Sequence, residues 1–208
     1  MAARREAMAS GAPGLLTLPM TQNRVTARQG RGSAGVVLGI AAVAMGLMAG
    51  TFYAFACAVM PALARSGDRV YIEVMQNIND VIQNPVFFAG FFGALVLTAV
   101  AAWQLRRTSL RWWVLAALLA YAAAFLLTSG VNVPLNNDLA DAGDPGKIAD
   151  PAAVRERFED AWVAWNVVRA VLCTVASALL VRALVLLGRD RAAQPAYLDP
   201  AAGSTASR

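Results

Sequence analysis

Three stretches of the chain contain no charged residue: 32–64, 81–105 and 112–137. Each is long enough for a spanning helix, which needs about 20 consecutive apolar residues. The pattern places a first span at Gly35 to Met60, a second at Pro85 to Leu105 and a third at Trp112 to Gly130. A fourth helix is predicted over 151–187, amphipathic in its first turns and apolar from about Trp162. The fold class expected is an all-α membrane protein: a four-transmembrane-helix bundle with an extended fourth helix.

The connections follow from the same pattern. The chain is expected to leave the membrane at Pro61. From Asp68 to Gln83, Tyr71, Val74, Met75, Ile78 and Ile82 recur on one helical face, in a stretch too short and polar to span. This reads as a short interfacial helix between spans 1 and 2. Asn84-Pro85 and Asp150-Pro151 each read as an N-cap followed by proline at the first helical position. A polar loop is expected over 131–150, carrying Asp138, Asp141, Asp144 and Asp150. Gly46, Gly50, Ala54 and Ala58 recur every four residues, a small-residue stripe that would let another helix approach closely. Residues 1–33 read as a disordered cytoplasmic tail, 34–188 as the membrane domain and 189–208 as a flexible cytoplasmic tail.

Composition agrees. Of 208 residues, 58% are hydrophobic and 15% charged, against about 25% charged in an ordinary soluble domain. The net charge of +5 does not mark a nucleic-acid binder, because the arginines sit at the ends of apolar blocks and form no single basic face. They are better explained by topology. The N-terminal stretch, the 106–111 turn and the C-terminal stretch are the arginine-rich segments, which places both termini in the cytoplasm of a multi-pass cell-membrane protein. Cys57 and Cys173 lie inside apolar segments and read as small buried hydrophobes. Histidine is absent, which removes the commonest metal ligand and the usual neutral-pH base. No metal or other cofactor is expected.

Polar residues in spans are costly and mark candidate chemistry. Tyr53, Asn79, Asp80, Asn84, Thr128, Asn132, Asn136, Asn137, Trp162, Asn166 and Arg169 all fall at one level, the outer leaflet and its boundary with water. Trp162, Trp165, Asn166 and Arg169 are spaced i, i+3, i+4, i+7 and share a helix face. The tryptophans alone would suit an interfacial belt. Arg169 lies two turns deeper, on the order of 10 Å along the axis. Two readings of it stand together: a salt bridge to a loop acid such as Asp80 or Asp138, or a site for a bound anion. The asparagines of 132–137 would equally serve to cap span 3 and make a turn.

Four features occur in order: Gly50-Thr51-Phe52-Tyr53-Ala54-Phe55 with Val59-Met60-Pro61; Met75-Gln76-Asn77-Ile78-Asn79 with Asn84-Pro85; Thr128 with Asn132-Val133-Pro134-Leu135-Asn136; and Trp162-x-x-Trp165-Asn166-x-x-Arg169. Together they resemble the anthrone-oxygenase-like family of small four-helix membrane proteins, over about residues 35–187. The resemblance implies oxidation of anthrones to anthraquinones by dioxygen without an evident cofactor. For that reaction the clustered polar groups suggest a catalytic set of Arg169, Asn166, Asn136 and Asp80, with Arg169, Asn166 and Asn136 holding the enolate oxygen and Asp80, or alternatively Asp138, as base. A substrate-binding set of Tyr53, Asn79, Thr128, Asn132, Trp162 and Trp165 would accompany it. The expected partner is an apolar aromatic small molecule or a lipid, with the membrane as setting and a homodimer as a possible assembly. A non-catalytic protein that binds a lipid, quinone or partner protein in the same place is the competing expectation. Transport is disfavoured: no internal repeat is evident, and the inner half of each span is almost purely apolar.

Overall fold

The computed structural model describes the backbone of residues 18–193 and the side chains of 33–193. Seven α-helices occur among the described residues: α1 (Leu18–Ala54), α2 (Met60–Leu63), α3 (Asp68–Val81), α4 (Pro85–Leu105), α5 (Arg111–Leu127), α6 (Val133–Asp141) and α7 (Pro151–Ala192). Four helical stretches are long and apolar enough to cross a membrane: Ser33–Leu63, Pro85–Leu105, Arg111–Asp141 and Pro151–Ala192. They form a ring in chain order, α1 against α4 and α7, and α5 against α4 and α7. The chain is thus an all-α membrane bundle. At 1.5 Å per residue α7 is about 60 Å long, twice the hydrocarbon thickness, so its ends project beyond the apolar layer.

The interior is lined by small residues that let the helices close on one another. Ala34, Ala41 and Ala49 of α1 meet Ala94 and Ala101 of α4, Ala117 and Ala124 of α5, and Ala176 and Ala183 of α7. Larger side chains fill the remaining space, among them Leu38, Met45, Phe91 and Leu180. The buried Tyr121 hydroxyl donates to the Phe91 carbonyl at 2.8 Å, so its burial leaves no unpaired donor. The other faces present Val36, Ile40, Val43 and Leu47 outward, as lipid-facing helices should.

Both expected caps are present. The Asn84 side chain accepts from the Val86 and Phe87 amides at 3.0 and 3.1 Å, and Asp150 accepts from Ala153 at 3.1 Å.

Four expectations are corrected. The backbone is helical from Leu18, so the stretch expected as a tail to residue 33 is helical in its second half. Pro19 sits where a missing amide costs nothing, and no later proline interrupts the turns. Residues 1–17 and 194–208 lie outside the described residues. Second, the first span does not end at Pro61, since α2 carries it to Leu63. Third, the loop expected from 131 begins only after Asp141. The cause is shared. A π-turn precedes each proline, Phe55–Val59 before Pro61 and Thr128–Asn132 before Pro134. There the Met60 amide donates to the Phe55 carbonyl, and Val133 to Thr128. The extra residue in each turn gives the proline ring room and the helix goes on. Fourth, Gly46, Gly50, Ala54 and Ala58 lie on the exposed face of the first span. The buried face is Met45, Met48, Ala49 and Phe52.

A second apolar cluster closes one end of the bundle. Tyr71, Ile72 and Met75 of α3 pack with Met60, Leu139, Ile148, Phe158 and Trp162. The amphipathic face of α3 therefore rests on protein. Three long side chains fasten this cap to backbone carbonyls. Arg69 donates to Pro145 and, at 3.0 Å, to Ile148. Gln76 donates to Leu139 at 2.8 Å and Gly143 at 3.1 Å. Arg155 donates to Ser66 at 3.0 Å and Ala64 at 3.1 Å. Gly143, at φ 79°, makes the turn out of α6 that an L side chain would strain.

Tyr71 is fully buried, its ring lies under the Arg155 guanidinium at 4.6 Å, and its hydroxyl has no partner. Burial, reinforced by Glu159 and opposed by Arg155, pushes its phenol above the ordinary range. An unpartnered buried hydroxyl costs stability while the ring contributes it. Tyr71→Phe is therefore expected to leave the unfolding free energy unchanged or raise it, by at most about 1 kcal/mol. The pH dependence has a definite sign. The raised phenol favours folding below about pH 10, and that contribution is lost as pH rises further. Unfolding of wild type and Tyr71→Phe between pH 8 and 11 checks both points, and a less steep alkaline loss is expected in the variant.

Candidate functional site

Between the two apolar clusters lies a polar layer built by α7 and the π-turn of the third span. Arg169 of α7 is 4% exposed. Its two terminal nitrogens donate to Asn166 Oδ1 at 3.1 Å and to Thr128 Oγ1 at 3.4 Å. Its Nε is buried without a partner. The guanidinium lies 4.5 Å from the centre of the Phe52 ring and 5.4 Å from that of Trp162.

The neighbouring turns continue this layer. Asn166 donates through Nδ2 to the Phe52 carbonyl at 3.0 Å, just before the first π-turn. Asn132, 1% exposed, donates to the Trp162 carbonyl at 3.3 Å, while its own Oδ1 is buried and unpaired. Trp162 Nε1 donates to Asn136 Oδ1 at 2.7 Å. The two helices run past each other, so Thr128 answers Arg169, and Asn132 and Asn136 answer Trp162. The π-turn and the continued α6 bring these three side chains onto one face, which an ordinary loop at 131 would not have done.

Of the residues expected from sequence, Arg169, Asn166, Thr128, Asn132, Asn136 and Trp162 are brought together. Four are not. Tyr53 points away, 63% exposed; its neighbour Phe52, at 4%, holds the place foreseen for it. Trp165 is 39% exposed on the flank of α7. Asn79, on α3, has its amide nitrogen buried and unpaired, with no contact to Arg169. Asp80 is exposed and touches none of this group. Among the described residues the salt bridge expected for Arg169 to Asp80 or Asp138 is absent.

Sequence reasoning missed Phe52 and Phe158. Phe158 stacks on Trp162, centroids 6.0 Å apart and planes 28° apart. Its spacing of i, i+4 to Trp162 was a usable signal, since Phe158, Trp162, Asn166 and Arg169 form one buried stripe of α7. At the α3-capped end of this stripe lies a cleft of about 430 Å³. It is lined by Leu135, Asp138, Leu139, Asp141, Val154, Arg157 and Phe158 among others. Asp138 is exposed and faces this cleft.

A cation buried without a carboxylate costs several kcal/mol in an apolar medium. Asparagine and threonine oxygens and two ring faces offset only part of that. The arrangement is electrostatically suited to receive an anionic oxygen, and the free Nε is a donor for it. The aromatic walls suit a flat apolar body around that oxygen.

Fold and site together define a membrane protein of four spans with a buried arginine between aromatic rings that has, among the described residues, no carboxylate partner. Residues 84–179 match the family described as anthrone oxygenase, which supports an anthrone-oxygenase-like membrane protein. The matched stretch runs from the Asn84 cap into α7 and contains Thr128, Asn132, Asn136, Trp162, Asn166 and Arg169. Neither curated proteins nor solved structures supply a match.

Proposed function

We propose that this protein is a cofactor-independent oxygenase that oxidises a flat aromatic, polyketide-type substrate with dioxygen. The observation that carries the reading is Arg169, a buried guanidinium with one unpaired donor, no carboxylate partner and aromatic rings on its faces. The substrate would enter by the cleft beside Phe158 and reach Arg169 when Trp162 moves aside.

The chemistry balances with dioxygen alone as oxidant. A base takes one proton from the methylene carbon of an anthrone, leaving an aromatic enolate whose oxygen is held by Arg169 and Asn166. The enolate carbon gives an electron pair to dioxygen, forming a C–O bond and, after protonation, a hydroperoxide. Loss of the second C–H proton and cleavage of the O–O bond yield the ketone and one water. Donors preorganised in a dry site stabilise the enolate more than water does. As base, Asp138 suits this route better than Asp80, because it lines the cleft.

The test is oxygen uptake by the full chain in lipid nanodiscs supplied with an anthrone. Uptake of one dioxygen per substrate, without hydrogen peroxide release, is the expected result. Uptake no faster than the uncatalysed autoxidation would overturn the proposal. The second reading, a site that binds a lipid or quinone without chemistry, draws on the absence of a carboxylate beside Arg169. It predicts a co-purifying ligand and no uptake.

A further inference from the structure

The opposite end of the bundle carries a different surface. The five residues between α4 and α5, 106–110, hold Arg106 and Arg107, and α5 opens with Arg111. No aspartate or glutamate occurs between Asp80 and Asp138, so neither helix supplies a counter-charge. None of the three arginines forms a salt bridge among the described residues. On α7, the acid nearest this end is Asp190, between Arg189 and Arg191.

Tryptophans surround the turn. Trp103 and Trp112 are 65% and 63% exposed, far more than indole rings with a protein partner. The Arg106 guanidinium lies 4.5 Å from the Trp103 ring centre, Arg111 4.8 Å from Trp112, and Arg182 of α7 5.7 Å from Trp113. Arg106 also donates to the Trp103 carbonyl at 2.6 Å, closing α4. Arg107 is exposed and, among the described residues, its side chain makes no hydrogen bond or ring contact. Exposed indoles sit at the level of lipid headgroups. They hold Arg106 and Arg111 at that level, and Arg107 and Arg111 keep their donors free.

We infer that the α4–α5 turn is a seat for the phosphate headgroup of an anionic phospholipid, gripped by Arg107 and Arg111 between Trp103 and Trp112. Charge complementarity selects this occupant: the surface is cationic and aromatic, with no acid on α4, α5 or the turn between them, and lies where the chain meets the membrane boundary. A zwitterionic lipid brings its own cation to the same place and gains less. The interaction is electrostatic, so each arginine contributes roughly a fivefold preference near an anionic surface. It does not depend on the reaction proposed for the other end.

Native mass spectrometry of the full chain, released from membranes of mixed phosphatidylglycerol and phosphatidylcholine, reads the preference directly. Wild type is expected to retain phosphatidylglycerol over phosphatidylcholine. Arg107→Gln with Arg111→Gln should lose roughly fivefold of that preference per residue, while Arg107→Lys with Arg111→Lys keeps most of it. Equal retention of the two lipids by wild type, or an undiminished preference in the glutamine variant, would overturn the inference.

Discussion

Arg169→Ala is expected to lower the turnover of an anthrone by about 10²–10³-fold, the usual cost of losing one oxyanion donor. The expectation rests on where the guanidinium is. It is 4% exposed, and its hydrogen-bond partners are one asparagine and one threonine. Its effect should fall on kcat more than on KM, because charge builds on the substrate oxygen only as the methylene proton leaves. Arg169→Lys keeps the charge, loses the planar fork and should recover part of the rate. A stability measurement separates this role from a structural one. An unpaired buried cation opposes folding, so Arg169→Met, which keeps the bulk, should unfold at the same temperature as wild type or higher. A marked fall in the unfolding midpoint would mean that Arg169 is there to hold the bundle. Full activity in a folded Arg169→Ala protein would remove it from the mechanism.

Arg155→Ala is the second substitution with a large expected effect, this time on stability, of about 3 kcal/mol. Arg155 joins the start of α7 to the segment between α2 and α3. It donates to Glu159 at 2.6 Å, to Asp68 at 3.0 Å and to the carbonyls of Ser66 and Ala64, and it covers the Tyr71 ring. Asp68 is 43% exposed, so that pair is screened and contributes little. Most of the loss comes from the two carbonyls and Glu159, whose side chain is 20% exposed. Removing the guanidinium leaves the Ser66 carbonyl and Glu159 partly buried and unpaired, while the Ala64 carbonyl is left to solvent. Thermal unfolding in detergent reads the global loss. Hydrogen exchange should place it locally, with the amides of α3 opening first. An unchanged midpoint would show that the cap is held by its apolar cluster alone.

The cap matters to the site because Phe158 and Trp162 belong to it. Loosening α3 should therefore loosen Trp162, one of the two rings over Arg169, and the two substitutions meet there.

The sequence made the spans legible because charge and hydropathy are local properties. α4 has the bounds read from the sequence, its start set by Asn84-Pro85 and its end by the end of the uncharged run, and the Asn84 and Asp150 caps stand where their side chains and the following prolines require. The face shared by Trp162, Asn166 and Arg169 was legible too, since the helical period alone aligns them. What failed were inferences about which way a helix turns and where it stops. Pro61 and the polar run from 131 read as ends because a proline normally breaks the ladder and asparagines suit turns, and a π-turn that absorbs a proline leaves no mark in composition. Tyr53 and Phe52 are adjacent on a helix, and the period cannot say which of them faces inward. The same holds for the Gly46–Ala58 stripe, whose spacing suits an interface on either side of α1.

Asp80 shows the remaining gap. Depth in the membrane can be read along one chain, but proximity across helices cannot. By itself the sequence determined the number of spans, the helix caps and the polar face of α7, all set by neighbours within a few turns. Only the tertiary structure decided that Phe52 is the ring on Arg169, that Asn132 and Asn136 meet Trp162, and that no carboxylate reaches the guanidinium. Those contacts join residues 26 to 117 positions apart, and they form only once two proline-bearing helices have gone on past their π-turns.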